Sequence, residues 1–257
     1  MILRARQDRI VSALRSGGAA SVRDLAQSLA VSESTIRRDL DILDRNGELT
    51  RTYGGAVLRP GETVTDSDPW MEGPFTADAG IELKQRVADR AAALVPVVAV
   101  VLLDIGTTTP LVARRLRGRP VTVITSNLAV LDELRDDSTV RLIMLGGVFR
   151  RNYRSFVGSL TQSALAQVSA DLLFLSCTGV RPSGNVVDNM AVEAPIKEAM
   201  IASADRIVLL ATETKFPGTG ALRLCTLSDV DTVVTTAGAN PKTLDLCRHA
   251  GGEVIIA

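Results

Sequence analysis

The chain has 257 residues, which is enough for one large domain or for a large and a small one. Hydrophobic residues make up 46% of it but aromatic residues only 3%, so we expect a core of Val, Leu, Ile and Ala, as in proteins with buried parallel strands. The formal net charge is zero. Bulk charge therefore gives no sign of nucleic-acid binding, and any contact with DNA must come from where the basic residues are placed.

The few cysteines and histidines limit the chemistry that the chain can perform. The cysteines lie far apart without metal-ligand spacing, which predicts no metal site and a reduced, cytoplasmic setting. They are Cys177, Cys225 and Cys247. The longest apolar stretch, residues 91–103, contains Pro96 and is too short to cross a bilayer, so no membrane segment is expected. Because His249 is the only histidine, Ser/His/Asp and Cys/His catalysis are disfavoured.

Short helices separated by a tight turn are predicted near the amino end. After a first helix at residues 6–15, Ser21 and Asp24 have the spacing of a capping box and begin a second helix that ends near residue 29. A three-residue turn then leads to a third helix, which Ser32 opens as a capping residue. This order is typical of a helix-turn-helix.

The helix that begins at Ser32 has two contrasting faces. At about 100° per residue, Ile36, Leu40 and Leu43 fall on one arc and face a core. The opposite arc carries hydroxyl and guanidinium groups, which suit phosphate oxygens and guanine edges. Taken alone, such a helix is more often an ordinary solvated face; the capped helices before it favour DNA binding.

A hairpin is predicted after this helix. Asn46-Gly47 is a strong signal for a hairpin turn, residues 48–53 follow as a strand, and Gly54-Gly55 allow a tight exit. A hairpin in this place is a wing, from which Arg51 would reach the DNA backbone or the minor groove. The residues predicted to contact DNA are Ser32, Ser34, Thr35, Arg37, Arg38 and Arg51.

A linker and a large α/β domain follow. Residues 60–79 are rich in Pro, Gly and acidic residues without a clear period, which is typical of a linker. From residue 81, near-continuous apolar strands alternate with amphipathic helices, which predicts a mostly parallel sheet covered on both faces. Strands are predicted at 97–103, 121–125, 141–145, 172–176, 207–211, 230–235 and 254–256. The division we expect is a winged helix-turn-helix at 1–58, a linker at 59–80 and an α/β domain at 81–257.

Polar residues gather where the predicted strands end, which is where ligands bind in such folds. Gly106-Thr107-Thr108-Thr109 leads directly into a helix and offers backbone N–H groups, hydroxyls and a positive dipole end to an anion. It lacks the Lys of a P-loop and the spacing of a dinucleotide fingerprint, so no nucleotide cofactor is expected. Asp104 could accept hydrogen bonds from sugar hydroxyls, and Lys215 could pair with a phosphate. Each has an ordinary structural explanation alone; their convergence favours a ligand site.

A cluster of basic residues, Arg150-Arg151-Asn152-Tyr153-Arg154, follows Gly146-Gly147. It could supply phosphate contacts or form a solvated loop. We favour the loop, because a cluster this close in sequence rarely converges on one small ligand.

Motifs along nearly the whole chain resemble those of DeoR-type bacterial transcription regulators. Residues 6–56, which contain Thr-Ile-Arg-Arg-Asp-Leu and end in Gly-Gly-Ala, resemble the DNA-binding domain of these regulators, although Tyr53 stands where the family usually has His. The later motifs are similar, in order, to their effector-binding domain, whose fold is similar to those of ribose-5-phosphate isomerase and CoA transferases. These motifs are LLDIGTTT, VITSNLAV, LIMLGGVF, SFVGSL, DLLFLSCTGV, VEAPIKEAM and TKFPG. The departures are Thr-Glu-Thr before Lys215, where the family usually has Asp-Ser-Ser, and Val97-Val98, where Asp-Gly is common.

The resemblance implies a repressor of a carbohydrate catabolism operon that binds operator DNA as a homo-oligomer, a dimer or tetramer, without a cofactor. Its effector would be a phosphorylated sugar or a related metabolite. The effector residues so implied, with Thr109 from the same loop, are Asp104, Gly106, Thr107, Thr108, Thr109, Ser126, Asn127, Gly147, Glu193, Lys197 and Lys215. The alternative is an enzyme similar to sugar-phosphate isomerases with an appended DNA-binding head, in which Asp104, Glu193 and Lys215 would move protons. An activator is not distinguished from a repressor by sequence.

Overall fold

The computed structural model describes residues 6–7, 9–11, 14, 19–29, 31–45, 49–52, 54–57, 80–151 and 153–257. The chain divides into two compact units, Met1–Pro74 and Phe75–Ala257. Within the described ranges, no helix is both long and apolar enough to cross a membrane.

The amino-terminal unit packs helices against a small antiparallel sheet. The described residues between 6 and 14 are helical. The elements that follow are β1 (Ala19–Ser21), α1 (Val22–Leu29), α2 (Glu33–Arg45), β2 (Thr50–Thr52) and β3 (Gly55–Val57), with the strand order β1-β3-β2. Ile36, Leu40 and Leu43 are buried as predicted, in one cluster with Ile10 and Leu14 of the first helical segment. The helix-turn-helix with its wing is therefore confirmed.

The wing hairpin turns at a different place from the one predicted. β2 and β3 pair antiparallel, with Arg51 opposite Ala56, and Gly54 stands in the turn between them. The φ of Gly54 is 87°, in the left-handed region that favours glycine. Asn46-Gly47 lies outside the described residues. The prediction that Gly54 follows the hairpin was wrong, because Gly54 lies in the turn that joins the two strands of the hairpin.

The large unit is an α/β domain. Its helices are α3 (Ile81–Ala93), α4 (Thr109–Leu116), α5 (Leu128–Leu134), α6 (Ser159–Leu165), α7 (Ala194–Ala202) and α8 (Pro241–His249), with short 3₁₀ turns at Glu213–Lys215 and Leu227–Asp229. Its longer strands are β4 (Val100–Leu103), β5 (Thr122–Thr125), β6 (Arg141–Met144), β9 (Leu172–Ser176), β12 (Ile207–Leu210), β14 (Thr232–Thr235) and β15 (Glu253–Ile256). These seven strands form one parallel sheet in the order β15-β14-β12-β9-β4-β5-β6. The predicted parallel sheet is confirmed.

Alternate residues of the central strands pack on opposite faces of the sheet, because successive side chains of a strand point in opposite directions. Leu102 and Leu173 belong to one buried cluster, whereas Val101, Leu103 and Phe174 belong to the other. Both faces are thus covered, as the near-continuous apolar strands predicted.

The strand order reverses between β4 and β9. From β4 the chain steps outward to β5 and β6, returns to β9 on the other side, and then continues outward to β12, β14 and β15. In open α/β sheets, ligands bind outside the carboxyl ends of the strands at such a reversal. Asp104 follows β4 and Ser176 ends β9, so both stand at this point.

Two small sheets were not predicted. β7 (Val148–Arg150) and β8 (Ser155–Val157) form a hairpin, and β10 (Gly179–Val180), β11 (Asn185–Asp188) and β13 (Leu222–Thr226) form a three-stranded sheet. The strand predicted from residue 97 begins only at Val100, with Val97 and Val98 exposed at 74% and 79%. β7, β8 and β10 have only two or three residues, which are too few positions for an apolar period to be recognised.

Asp137 joins two loops of the large unit through its side chain. Its Oδ1 accepts hydrogen bonds from the backbone N–H groups of Val140 and Thr139 at 3.0 and 2.8 Å, and its Oδ2 accepts one from Gly118 at 2.7 Å. These backbone donors, Val140 first, lower the pKa of Asp137. A carboxyl whose pKa is lowered by folding stabilises the protein above its unfolded pKa, and this stabilisation is lost as the pH falls through the folded value.

We therefore expect Asp137→Asn to lower the melting temperature at neutral pH, because the neutral amide binds these donors less strongly. The difference from the wild type should narrow as the pH falls below the ordinary Asp pKa of 3.8. Thermal unfolding followed across this pH range measures it, with Asp136→Asn at the exposed neighbouring position as control. A difference that stays constant down to about pH 2 would contradict the assignment.

Candidate functional sites

A cluster of hydroxyl groups opens α2. Ser32 precedes the helix, and its Oγ accepts a hydrogen bond from the backbone N–H of Thr35 at 3.2 Å. The same oxygen lies 2.8 Å from Ser34 Oγ and 2.8 Å from Thr35 Oγ1. Ser32 and Ser34 are exposed and Thr35 is half-buried. Ser32 therefore caps the helix, as predicted, and the other hydroxyls stand beside its exposed face.

Three guanidinium groups accompany these hydroxyls. Arg37 pairs with Glu33 one turn earlier on α2, and Arg51 of the wing pairs with Asp41. Arg38 is exposed, and in the part of the chain that the structure describes it has no ion-pair partner. Exposed ion pairs contribute only about 0–1 kcal/mol, so phosphate oxygens can replace these carboxylates at small cost.

Asp39 faces the interior, unlike its neighbours on α2. It is 1% exposed and binds Arg6 of the first helical segment through two hydrogen bonds, one of them from Nη2 at 3.1 Å. This bidentate pair ties the first helical segment to α2 and so fixes the helix that carries Arg37 and Arg38. The sequence alone did not reveal this partner.

Asp104 is completely buried at the carboxyl end of β4. Its Oδ1 accepts a hydrogen bond from Ile105 N at 2.7 Å, and its Oδ2 accepts from Ser176 N at 2.9 Å, from Ser176 Oγ at 2.6 Å and from Lys197 Nζ. A carboxylate offers about four acceptor positions, so both oxygens are already satisfied inside the protein. Asp104 therefore ties β4 to β9 and α7.

Lys197 lies between two buried carboxylates. Besides Asp104, its Nζ lies 3.6 Å from Asp188 Oδ2 and donates to the backbone oxygen of Ser176 at 3.0 Å. Burial alone would lower the pKa of Lys197, but the attraction of Asp104 and Asp188 outweighs it and raises the pKa. This network crosses the point where the strand order reverses.

The loop after Asp104 presents the amino end of α4. Gly106 has a φ of 136°, and a Cβ there would lie 2.8 Å from Ser176 Oγ, so a side chain does not fit. Thr109 Oγ1 donates to Asp104 O at 2.7 Å, whereas exposed Thr107 accepts a hydrogen bond from Lys84 Nζ of α3 at 2.7 Å. Thr108 stands at the N-cap, and its side chain makes no capping hydrogen bond. The positive dipole end of α4, the exposed hydroxyl of Thr107 and the ammonium of Lys84 together favour an anion here.

Asn127 connects this loop to the β7–β8 hairpin. Its Oδ1 caps α5 by accepting from Ala129 N at 2.9 Å, and its Nδ2 lies 3.4 Å from both Gly106 O and Thr109 Oγ1. Its backbone forms a β-bridge with Ser155 of β8. Asn127 is thus buried as a brace between two parts of the site.

A second polar cluster surrounds Glu193 at the start of α7. Glu193 is completely buried, and its Oε1 accepts hydrogen bonds from Ser155 Oγ at 2.9 Å and from Arg150 Nη1. Arg150 is 5% exposed, and its guanidinium carbon lies 3.8 Å from the centroid of the Tyr153 ring. Burial raises the pKa of Glu193 against the opposing charges of Arg150 and Lys197. The prediction of a solvated loop is wrong for Arg150, which is buried because Glu193 compensates its charge in the interior.

Three buried polar atoms near this cluster have no hydrogen-bond partner among the described residues. They are Glu193 Oε2, Tyr153 Oη and Ser126 Oγ. Ser126 is held beside the hairpin because its backbone oxygen accepts from Phe156 N at 3.0 Å. An unsatisfied buried polar group costs about 1–3 kcal/mol, so such atoms call for an explanation.

The remaining predicted residues take different places. A Cβ on Gly147 would lie 2.2 Å from Thr161 Oγ1, so this glycine allows close packing. Lys215, in the turn after β12, is half-buried. Burial raises the pKa of Cys177, the residue after Ser176, to about 12 against the opposing charges of Lys215 and Lys197. No group of residues that could hold a metal ion occurs in the described ranges.

Several residues of the site were missed from sequence. They are Lys84, Arg150, Tyr153, Ser155, Ser176 and Asp188. Ser176 ends a predicted strand, so the strand-end rule could have found it. Lys84 on α3 and Arg150 on β7 are brought to the site by packing that no local pattern records.

Comparisons with known proteins cover both units of the chain. The family model described as the DeoR-like helix-turn-helix domain matches residues 6–60, and the one described as the DeoR C terminal sensor domain matches residues 80–237. A putative aga operon transcriptional repressor of Escherichia coli O157:H7 is 31% identical over 98% of this chain and 93% of its own length. An L-fucose operon activator of Haemophilus influenzae is 31% identical over 89% of this chain and 90% of its own length. The glycerol-3-phosphate regulon repressor of Escherichia coli K12 is 29% identical over 90% of this chain and 90% of its own length. Among solved structures, ribose 5-phosphate isomerase A of Methanocaldococcus jannaschii is similar at a TM-score of 0.40 and 19% identity, over 53% of this chain and 55% of that one.

Proposed function

Because the chain belongs to the DeoR family of transcriptional regulators, we propose that it is a repressor of a carbohydrate catabolism operon and that a phosphorylated sugar or related metabolite controls its binding to operator DNA. The family makes it a DNA-binding regulator and not an enzyme. Two of the relatives are named as repressors, one of an aga operon and one of a glycerol-3-phosphate regulon, and a third is named as an activator of an L-fucose operon. Transcript levels of the controlled operon in a deletion strain separate repression from activation.

The proposed DNA-binding surface is the exposed face of α2 with the wing. Ser32, Ser34 and Thr35 place hydroxyls there, and Arg37, Arg38 and Arg51 place positive charge there. One head of this size contacts a short stretch of DNA, so we propose a homo-oligomer, a dimer or tetramer, on repeated half-sites. We propose a division into a head at 1–58, a linker at 59–80 and a sensor domain at 81–257, and the family matches at residues 6–60 and 80–237 support it.

The proposed effector site is the carboxyl edge of the sheet around the reversal of strand order. The observation that carries it is the amino end of α4, where Thr107, which lies between Gly106 and Thr108, accepts a hydrogen bond from the ammonium of Lys84. We assign the phosphate to this place, with Lys215 as a further cation at the same edge, in the turn that follows β12. Asp104, Thr109, Asn127, Gly147 and Lys197 hold the loops in position, since their polar atoms are bonded within the protein or their backbone is closely packed.

The test is a thermal-shift screen of the full chain with inorganic phosphate and with phosphates of aldoses, ketoses and polyols of three to six carbons. A ligand at about 100 times its Kd stabilises the folded state by about 2.7 kcal/mol, so a binding compound raises the melting temperature by several degrees. We expect Lys84→Ala to weaken binding about tenfold or more, because a hydrogen bond from a charged donor contributes about 1.5–3 kcal/mol.

The matched control is Lys242→Ala, which removes an exposed lysine from α8. This helix lies next to β14, which is separated from β4 by β12 and β9 in the sheet. It should leave the shift unchanged. If no phosphate compound shifts the melting temperature, or if Lys84→Ala, Thr108→Ala and the wild type respond alike, the proposed effector site is wrong.

A further inference from the structure

We propose that Glu193, Tyr153 and Ser126, with Arg150 held beside them, form a second subsite that binds hydroxyl groups of the effector. This subsite rests on the proposed function, because it takes the uncharged end of the molecule whose phosphate binds at α4. It assigns a role to Arg150 and Tyr153, which lie in a cluster that resembles a solvated loop in the sequence.

Unused hydrogen-bonding capacity is concentrated at this place. Glu193 Oε2 can only accept while the carboxyl is ionised, whereas Tyr153 Oη and Ser126 Oγ can donate or accept. All three atoms are buried without a partner among the described residues. Of an adjacent pair of hydroxyls on a sugar, one would donate to the carboxylate oxygen and accept from the phenol, and the other would accept from the serine, so that all three atoms gain a partner.

The charges at this subsite favour hydroxyl groups over an anion. Arg150 and Glu193 neutralise each other, and the guanidinium is further held over the Tyr153 ring. A phosphate placed here would meet the unpartnered carboxylate oxygen of Glu193 and be repelled. A neutral donor meets no such repulsion, and it would replace the solvation that burial has removed from Glu193.

The subsite is connected to the anion-binding loop through Asn127 and Ser155. Asn127 approaches Gly106 O at 3.4 Å through its side chain and pairs with Ser155 through its backbone. Ser155 in turn donates to Glu193 at 2.9 Å. Ser126 precedes Asn127 directly, and its backbone oxygen accepts a hydrogen bond from Phe156 N of the hairpin at 3.0 Å.

Tyr153→Phe is the sharpest probe, because it removes one oxygen and keeps the ring beneath Arg150. Isothermal titration of the full chain would compare inorganic phosphate with the tightest sugar or polyol phosphate of the screen. We expect the sugar phosphate to bind at least about tenfold more tightly than inorganic phosphate, since each added hydrogen bond strengthens binding by about two- to tenfold. Tyr153→Phe and Ser126→Ala should each reduce the affinity for the sugar phosphate by about three- to tenfold and leave that for inorganic phosphate unchanged.

The melting temperature without ligand separates this role from a structural one. Because the phenol oxygen has no partner in the described protein, Tyr153→Phe should keep or raise the melting temperature, whereas loss of a structural hydrogen bond would lower it. Lys84→Ala should weaken the binding of inorganic phosphate and of sugar phosphate to the same extent.

The outcomes distinguish the two proposals. Binding that Lys84→Ala weakens but that neither Tyr153→Phe nor Ser126→Ala changes would overturn the hydroxyl subsite and keep the anion site. Equal affinity for inorganic phosphate and for every sugar phosphate would also overturn it. A failure of all phosphate compounds to bind would overturn the effector site as a whole.

Discussion

Replacing Arg38 by Ala is expected to weaken binding of the full chain to its DNA by about 100-fold or more. Arg38 is exposed on α2, and in the described part of the chain no carboxylate competes for it. An arginine bound to a guanine edge contributes about 1–3 kcal/mol, and a dimer would lose two such contacts. Arg37→Ala should act in the same direction, because the exposed pair with Glu33 holds Arg37 only weakly.

Fluorescence anisotropy with a duplex that the wild-type chain selects from a random-sequence pool measures this loss. Arg117→Ala, which removes an exposed arginine from the sensor domain, is the charge-matched control and should bind as the wild type does. Both α2 variants should keep their thermal shift with sugar phosphate, since the effector site lies in the other unit. Undiminished DNA affinity in Arg37→Ala and Arg38→Ala would contradict the assignment of α2 as the DNA-contacting helix.

The second large effect is expected from Lys197→Met, which should lower the free energy of unfolding by about 3–5 kcal/mol. The variant keeps an unbranched side chain, one atom shorter, but leaves Asp104 and Asp188 buried without their shared cation. Breaking a buried ion pair from one side is strongly destabilising because an uncompensated charge remains in the interior. Urea unfolding of the full chain measures the change.

A double variant, Asp104→Asn with Lys197→Met, tests whether the charge is the cause. It removes one of the stranded carboxylates, so it should lose less stability than Lys197→Met alone. Lys242→Met at an exposed position should change the free energy of unfolding little. A loss below about 1 kcal/mol in Lys197→Met would show that Lys197 does not compensate these acids.

The sequence predicted those parts of the fold that a local period encodes. Val101, Leu102 and Leu103 are apolar without alternation, because both faces of β4 are covered, and such runs identified the parallel strands. Ile36, Leu40 and Leu43 share one face of α2 by helical spacing alone. The strand-end rule then located the loop from Gly106 to Thr109 without knowledge of any contact.

The parts that were missed depend on contacts between residues far apart in the chain. Arg150 is buried because Glu193, 43 residues later, accepts its hydrogen bond. The sequence around Arg150 contains no pattern that predicts this partner. Lys197 and Asp104 are separated by 93 residues. The same holds for Lys84, which meets Thr107 only because α3 packs beside the amino end of α4.

Resemblance and geometry contribute different things to the candidate site. The resemblance implied a binding role for Asp104 and Asn127, whereas the structure has their polar atoms bonded within the protein. It gave no role to Tyr153, whose hydroxyl is buried and unpartnered among the described residues. A motif identifies residues that belong to a site. Whether such a residue positions other residues or can bind a ligand depends on whether its polar atoms already have hydrogen-bond partners within the protein.

If a phosphorylated sugar at the amino end of α4 controls DNA binding, the Kd of the full chain for its selected duplex must change when that sugar is added. Coupling between two sites typically changes affinity by about 5–150-fold. The measurement is made at a sugar phosphate concentration about ten times its Kd for the wild-type chain. We expect the Kd of the wild type for DNA to change at least about fivefold and that of Lys84→Ala to change clearly less. Without ligand, Lys84→Ala should bind the duplex as the wild type does. An identical Kd for DNA with and without saturating sugar phosphate in the wild type would contradict the account.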